Sequence, residues 1–207
     1  MKRVRVYVEG GGDTRDQQLR LKTAMRTWIA AALPEATRRP EVIACGGRQS
    51  AYDEYCLALA THPDDICVLL VDSEGPVVLP SRWAHVRGRR GDGWQAPSGA
   101  GEDALHFMAQ AMEAWICADP DALTSWFGAG FKADKLPARP NLELEPKADL
   151  FRKLANATRP SKRGPYHKGR DLGVLEEVAP GRVIARCPHA RVFLTELRAK
   201  LAEAANG

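Results

Sequence analysis

Two short apolar runs in this chain end on carboxylates followed by glycine. The first is Val4-Arg5-Val6-Tyr7-Val8-Glu9, leading into Gly10-Gly11-Gly12-Asp13; the second is Ile66-Cys67-Val68-Leu69-Leu70-Val71-Asp72-Ser73-Glu74-Gly75. Strand C-terminal ends are where open α/β sheets bind ligands. Carboxylates gathered there beside pliant backbone suit a Mg²⁺ or Mn²⁺ site working on phosphates. Asp72 and Glu74 stand two apart, so in extended backbone both point the same way. Glu9 comes close to Asp72 if the first and third strands are sheet neighbours, as in common doubly wound orders. Three like charges in one cleft repel unless a cation offsets them. Taken singly, each of these acids also fits a solvated loop position after a strand.

Other phosphate chemistries fit less well. The glycine run lacks the lysine of G-x-x-x-x-G-K-[ST], because Asp13-Thr14 follows Gly12. The dinucleotide fingerprint G-x-G-x-x-G is also unmet. Gly10 to Gly12 read instead as tight backbone around Glu9, or as a plain strand-to-helix turn. An aspartyl-phosphate enzyme of the haloacid-dehalogenase type would carry a second Asp and then Thr or Val, where this chain has Glu74 and Pro76.

The elements that must position these acids follow from periodicity. Residues 3–8 alternate and predict a strand. Thr14-x-x-Gln17 is a capping-box signature, and Leu21, Met25, Trp28 and Ala32 recur at helical spacing, so residues 14–33 predict an amphipathic helix. Glu41 to Cys45 predicts a second strand, with a helix opened by Ser50-x-x-Asp53 after Gly46-Gly47. Residues 66–72, apolar throughout, predict a buried parallel strand. The order β-α-β-α-β argues for an α/β, Rossmann-like parallel sheet flanked by helices. A fourth strand is expected near Ala84-His85-Val86 and a loop over 88–102. A long helix is expected over 102–118, with Leu105, Met108, Met112 and Trp115 inward and a polar stripe of His106, Gln110, Glu113 and Cys117 beside it. That stripe turns Glu113 toward a site at the edge of the core. Helices are expected from Pro120, over 147–157 and from Pro188, giving a helical C-terminal extension. The division expected is a core over 1–100 and an extension over 101–207 packed on it as one unit.

Composition excludes several classes. At 207 residues with 44% apolar content, the chain can bury a substantial core without staples. Five scattered cysteines form no C-x-x-C pair, which argues against a zinc ribbon and suits reduced thiols in a cytoplasmic protein. The N-terminus lacks the apolar core of a signal peptide, and no run approaches the roughly 18 apolar residues of a membrane span. Net charge of +4 says little by itself, but Arg152, Lys153, Arg159, Lys162, Arg163, Lys168 and Arg170 fall within residues 150–170 with no acid among them. With Tyr166 and His167 interleaved, that strip suits phosphates and a stacked base, or equally a solvated surface loop. Arg48 follows the second strand and is expected to reach the same sheet edge. Trp83, Trp94 and Trp115 are expected to be anchors rather than stacking platforms.

Glu9 after a first strand and an acid-x-acid pair after a third resemble the Toprim domain of topoisomerases, primases and OLD-type nucleases. The string Val71-Asp72-Ser73-Glu74-Gly75-Pro76-Val77, then Asp92-Gly93-Trp94, Met108-x-Gln110-x-Met112-Glu113-x-Trp115 and Tyr166-x-Lys168-Gly169, resembles a Toprim-like bacterial family of formerly unknown function, related to RloB and AbiL-type anti-phage defence proteins. The resemblance runs from Val4 to about Leu197. It implies a Mg²⁺-dependent, nuclease-like effector acting on DNA or RNA, tRNA included, with an ABC or OLD-like ATPase as partner and no membrane. It maps the metal-ligand or acid-base role to Glu9 and metal binding to Asp72 and Glu74. Glu113 is a further ligand or a structural anchor, and Lys147 and Lys168 are the phosphate contacts, with Arg48 and Tyr166 beside them. Glutamate at position 74, where aspartate is usual, leaves metal number open. It also leaves room for a non-catalytic regulatory or binding subunit of an ATPase complex with a degenerate site. A phosphatase or phosphotransferase acting on small nucleotides is a third reading. The sequence does not set the oligomeric state, and a homodimer is compatible with it.

Overall fold

A computed structural model describes residues 2–78 and 80–206. Four strands form one parallel sheet in the order β2-β1-β3-β4: β1 (Val4–Val8), β2 (Glu41–Ala44), β3 (Ile66–Asp72) and β4 (Leu105–Met108). β1 therefore lies between β2 and β3, with Val8 opposite both Ala44 and Leu70. This is the doubly wound neighbourhood that brings Glu9 to the end of β3. Crossover helices join the strands: α1 (Arg15–Ala32) and α2 (Arg48–Thr61), then α3 (Arg82–Gly88) before β4.

Alternation along the strands sorts side chains between two cores. Val4, Val6, Val8, Val68 and Leu70 face α1 and the C-terminal helices, while Tyr7, Cys67, Leu69 and Val71 face α2 and α3. The first core is the larger. In it Trp28 of α1 stacks on Trp115 at 4.8 Å, and Trp115 in turn stacks near Phe193. After β4 come α4 (Glu113–Cys117), α5 (Pro120–Phe127), α6 (Lys147–Thr158), α7 (Lys168–Asp171), α8 (Pro180–Arg186) and α9 (Pro188–Asn206). The helices expected from Pro120, over 147–157 and from Pro188 are present. No helix among the described residues is long and apolar enough to cross a membrane.

Several local expectations are corrected. The fourth strand is not at residues 84–86, which belong to α3; the Ser81 hydroxyl caps that helix by accepting from the Ala84 N–H at 3.1 Å. Residues 102–118 are not one helix. A short 3₁₀ turn, Glu102–Ala104, leads into β4, the chain bends, and α4 follows. Leu105, His106, Phe107 and Met108 are all buried. A run buried on every side carries no period, so its apolar residues matched a helix as well as a strand. Pairing decided it: the second edge of β3 needed hydrogen-bond partners, and 105–108 supply them in register from Leu69 to Asp72. β4 lies beyond the boundary expected at residue 100. The second helix also starts earlier than Ser50, with Gly47 as its N-cap.

Candidate metal and phosphate site

β1 and β3 end side by side. One oxygen from each of Glu9, Asp72 and Glu74 lies within 4.8 Å of the others. The backbone fixes this cluster at several points. The Asp72 N–H donates to Glu9 Oε2 at 3.0 Å, tying the two strand ends together. The Met112 N–H donates to Asp72 Oδ1 at 2.9 Å, so the bend after β4 orients the central carboxylate. The Glu74 N–H donates to the Gln110 carbonyl at 3.0 Å. Glu74 adopts φ 64°, a left-handed conformation that costs a non-glycine residue about 1 kcal/mol or more and is held only where the surroundings over-determine it.

The glycine loop serves the same assembly. Gly10 and Gly46 exchange backbone hydrogen bonds of 2.8 and 3.0 Å, an isolated antiparallel bridge just beyond the parallel β1–β2 pairing. A Cβ on Gly46, at φ +73°, would sit 2.9 Å from the Gly12 carbonyl oxygen. This close approach delivers the start of α2 to the site, and with it Arg48.

Arg48 is fully engaged. Its Nη1 donates to Glu9 Oε2 at 2.9 Å and to the Asp72 carbonyl. Its Nε and Nη2 donate to the two oxygens of Asp92 at 2.8 and 2.7 Å. The guanidinium carbon lies 4.7 Å from the Trp94 ring centre, and Trp94 stacks on Tyr52. Arg48 thus orients Glu9 and leaves no guanidinium nitrogen free for substrate. Asp92, almost wholly buried, also accepts from Arg89 at 2.6 Å. Trp83, Trp94 and Trp115 are buried, as expected of anchors.

Two lysines close the cluster from the C-terminal half. Lys147, at the start of α6, places Nζ 2.6 Å from Glu74 Oε1 and 3.3 Å from Asp72 Oδ2. Lys168, opening α7, places Nζ 3.6 Å from the same Asp72 oxygen and 4.0 Å from Glu113 Oε1. Glu113 does not join the three clustered carboxylates. It sits fully buried behind Lys168, with Oε1 accepting from the Tyr166 hydroxyl at 3.1 Å and Oε2 without a partner. Tyr166 is therefore committed to Glu113, and its ring packs against the larger core. The helical stripe that singled out Glu113 does not exist; only its direction toward the site holds.

The electrostatics follow from burial and crowding. Burial first, and then Asp72, push the Glu9 carboxyl up to about 7 despite Arg48. Burial also raises Glu113, against the pull of Lys168. Burial opposes the charge on Lys147 and Lys168, but Asp72 with Glu74 in the one case and Asp72 with Glu113 in the other outweigh it and hold both ammoniums above their usual range.

The rest of the basic strip divides. Arg152, Lys153 and Arg170 pair with Asp149, Glu145 and Asp171, acids just outside the 150–170 window. Arg159, Lys162 and Arg163 form no ion pair among the described residues, and Arg163 lies over the Trp126 ring at 4.4 Å.

Asp92 and Gln110 stand in the motif string and Gln110 on the expected polar stripe, but no role at the site was expected of them or of Arg89. Asp92 carried a signal, an acid inside a Gly- and Arg-rich segment, but only the fold shows that its partner is Arg48. A family model described as a domain of unknown function, DUF4276, matches residues 8–198. No curated protein and no solved structure matches.

Proposed function

The chain belongs to the DUF4276 family, and from its site we propose that it is a divalent-metal-dependent hydrolase of nucleic-acid phosphodiester bonds. One observation carries this reading: three carboxylates from two adjacent strand ends converge within 4.8 Å, with two lysine ammoniums on the same carboxylates. The donor set is all oxygen, which suits Mg²⁺ or Mn²⁺ rather than a soft metal. Ligand oxygens around such an ion are at most about 4 Å apart, so a small closure of Glu9, Asp72 and Glu74 accommodates one. A bound divalent ion would supply Lewis-acid stabilisation of the attacking and leaving oxygens and a more acidic water.

The chain's own groups divide the remaining work. Lys147 lies between Asp72 and Glu74 and must give way to a divalent ion, which frees its ammonium to pair with a phosphate oxygen. Lys168, partly exposed beside Asp72, takes a second phosphate oxygen. Glu9, poised near pH 7, is able to accept or release a proton there. Arg48, locked by Asp92, keeps Glu9 aimed at Asp72. The resemblance to Toprim nucleases supports the reading, since Glu9 and the Asp72-Ser73-Glu74 pair hold the corresponding strand ends. The resemblance to RloB and AbiL-type proteins extends the proposal to a cytoplasmic phage-defence setting with an ATPase partner. The test is incubation of the protein with DNA and with total RNA, with and without Mn²⁺, beside Asp72→Ala. Cleavage must need the metal and vanish in the variant while the variant's melting curve remains cooperative. Equal cleavage by Asp72→Ala overturns the proposal.

One observation favours a second reading. Arg48, Lys147 and Lys168 match Glu9, Asp72 and Glu74 charge for charge, so the cluster is neutral without a metal. A site sealed this way suits a non-catalytic binding or regulatory subunit. Melting with added Mg²⁺ or Mn²⁺ separates the two: a metal site gains stability by mass action, a sealed one does not.

A further inference from the structure

A cavity of about 360 Å³ opens beside the acid cluster, bounded by the Glu74–Val78 segment and by the His85, Gly88 and Arg89 end of α3. Glu74 belongs to both the cluster and the cavity wall. A cavity of similar size, lined by Thr23, Arg26, Arg39 and Pro40, lies beside the start of β2 and shares no residue with the acids. The volume near Glu74 is at the small end of the roughly 300–1,000 Å³ typical of small-ligand sites, enough for one nucleoside.

Its chemistry differs from that of the neighbouring lysines. Pro76 and Val78 give it an apolar side, and Val78 is 80% exposed. His85 is fixed, with Nε2 2.9 Å from the Ser73 carbonyl and its ring edge-on to Phe107. Arg89 is the cation in the wall, and it is held by Asp92 at 2.6 Å and lies 3.9 Å from Glu74. A phosphate needs positive charge released from its acids, which a divalent ion at the cluster would give at Lys147 and Lys168. The cavity therefore suits the uncharged part of the same substrate: a planar base, with an apolar wall for its face and a guanidinium for its edge.

We infer that this cavity takes an unpaired nucleobase next to the phosphate held at Lys147 and Lys168, so that the substrate is single-stranded nucleic acid. The inference rests on the hydrolase reading for the place of the phosphate. A base inside a duplex would have to leave its stack and its partner to enter, whereas a single strand splays its bases freely.

Gly88 provides a test that spares the fold. It has no left-handed backbone, and a Cβ added there meets no atom within 4 Å, so Gly88→Leu adds bulk at the cavity wall with no clash at its Cβ. Val78→Glu, at an exposed position, alters the apolar wall independently. The measurement is fluorescence anisotropy with Ca²⁺ present, an oxygen-ligated ion that would free Lys147 from Asp72 and Glu74, using labelled single strands of DNA and of RNA and their duplexes. Wild type should bind single strands more tightly than duplexes. Each variant should weaken single-strand binding roughly five- to tenfold or more, the worth of one stacked base, and leave duplex binding and any metal-induced rise in melting temperature unchanged. Variants that bind single strands like wild type overturn the inference, as does a wild type that prefers duplexes or binds neither. Selective single-strand binding that the variants lose, with no cleavage in Mn²⁺, counts against the hydrolase reading alone and still supports the cavity's role.

Discussion

Asp92 grips Arg48 with both carboxylate oxygens, 2.8 Å from Nε and 2.7 Å from Nη2, leaving Nη1 to reach Glu9. The pair is nearly buried, so removing one partner strands the other charge. Asp92→Ala should lower stability by about 3 kcal/mol, read by denaturant melting. It should also weaken metal affinity roughly ten- to a hundredfold, because Glu9 loses its support. Asp92→Asn keeps part of the grip and should fall between.

Lys147 distinguishes an active site from a sealed one. Lys147→Met removes the ammonium between Asp72 and Glu74 and leaves three carboxylates with less compensation. For a hydrolase, divalent-ion affinity should rise and cleavage should fall at least tenfold, since one phosphate contact is gone. Isothermal titration with Mn²⁺ and a cleavage assay read the two effects separately. A variant that binds no metal supports the non-catalytic reading.

Two buried groups should make opposing contributions to stability over the same pH range below neutrality. Glu9 has its folded pKa raised to about 7 from 4.5, so the stability it contributes is present below pH 4.5 and lost as pH rises through 7. Buried His106 is the reverse: burial depresses it to about 4 from 6.5, so its contribution is present above 6.5 and lost as pH falls through 4. Because the two slopes offset each other in wild type, Glu9→Gln should leave the His106 contribution unopposed, so that the variant gains stability more steeply than wild type as pH rises from 4.5 to 7. Metal binding requires ionised Glu9, so in wild type Mn²⁺ affinity should fall by up to about tenfold per pH unit below 7. Melting temperatures across pH, with and without Mn²⁺, measure both.

Glu113 and Tyr166 form a buried unit behind Lys168. Because burial favours the neutral carboxyl of Glu113, Glu113→Gln should stay within about 1 kcal/mol of wild type. Tyr166→Phe withdraws the hydroxyl that Glu113 Oε1 accepts and should cost about 1–3 kcal/mol, as for a buried polar atom left unpaired. Paired melting curves of the two variants test this order.

Much of the frame was legible along the chain because it depends on local pattern. The alternation of Val4, Val6 and Val8, the apolar run 66–72 and the spacing in α1 each fixed an element, and β-α-β order implied a parallel sheet. The expected strand at 84–86 and helix over 102–118 failed for a common reason. Short apolar runs have no decisive period, and it was the unpaired edge of β3 that made 105–108 a strand. The basic strip misled similarly: its acids, Glu145, Asp149 and Asp171, lie just outside the window in sequence but within ion-pair distance in space.

Which residues carry charge at strand ends was readable from their order along the chain. Glu9, Asp72 and Glu74 follow apolar runs, and a strand's end is set by its own residues. How those charges are compensated depends on the folded chain. Lys147 and Lys168 arrive from helices 70 residues or more away in the chain, and Arg48 is directed by Asp92 across a loop. Ion pairs depend on distance in space, as the inverse of separation and of local dielectric, and no spacing along a chain encodes that.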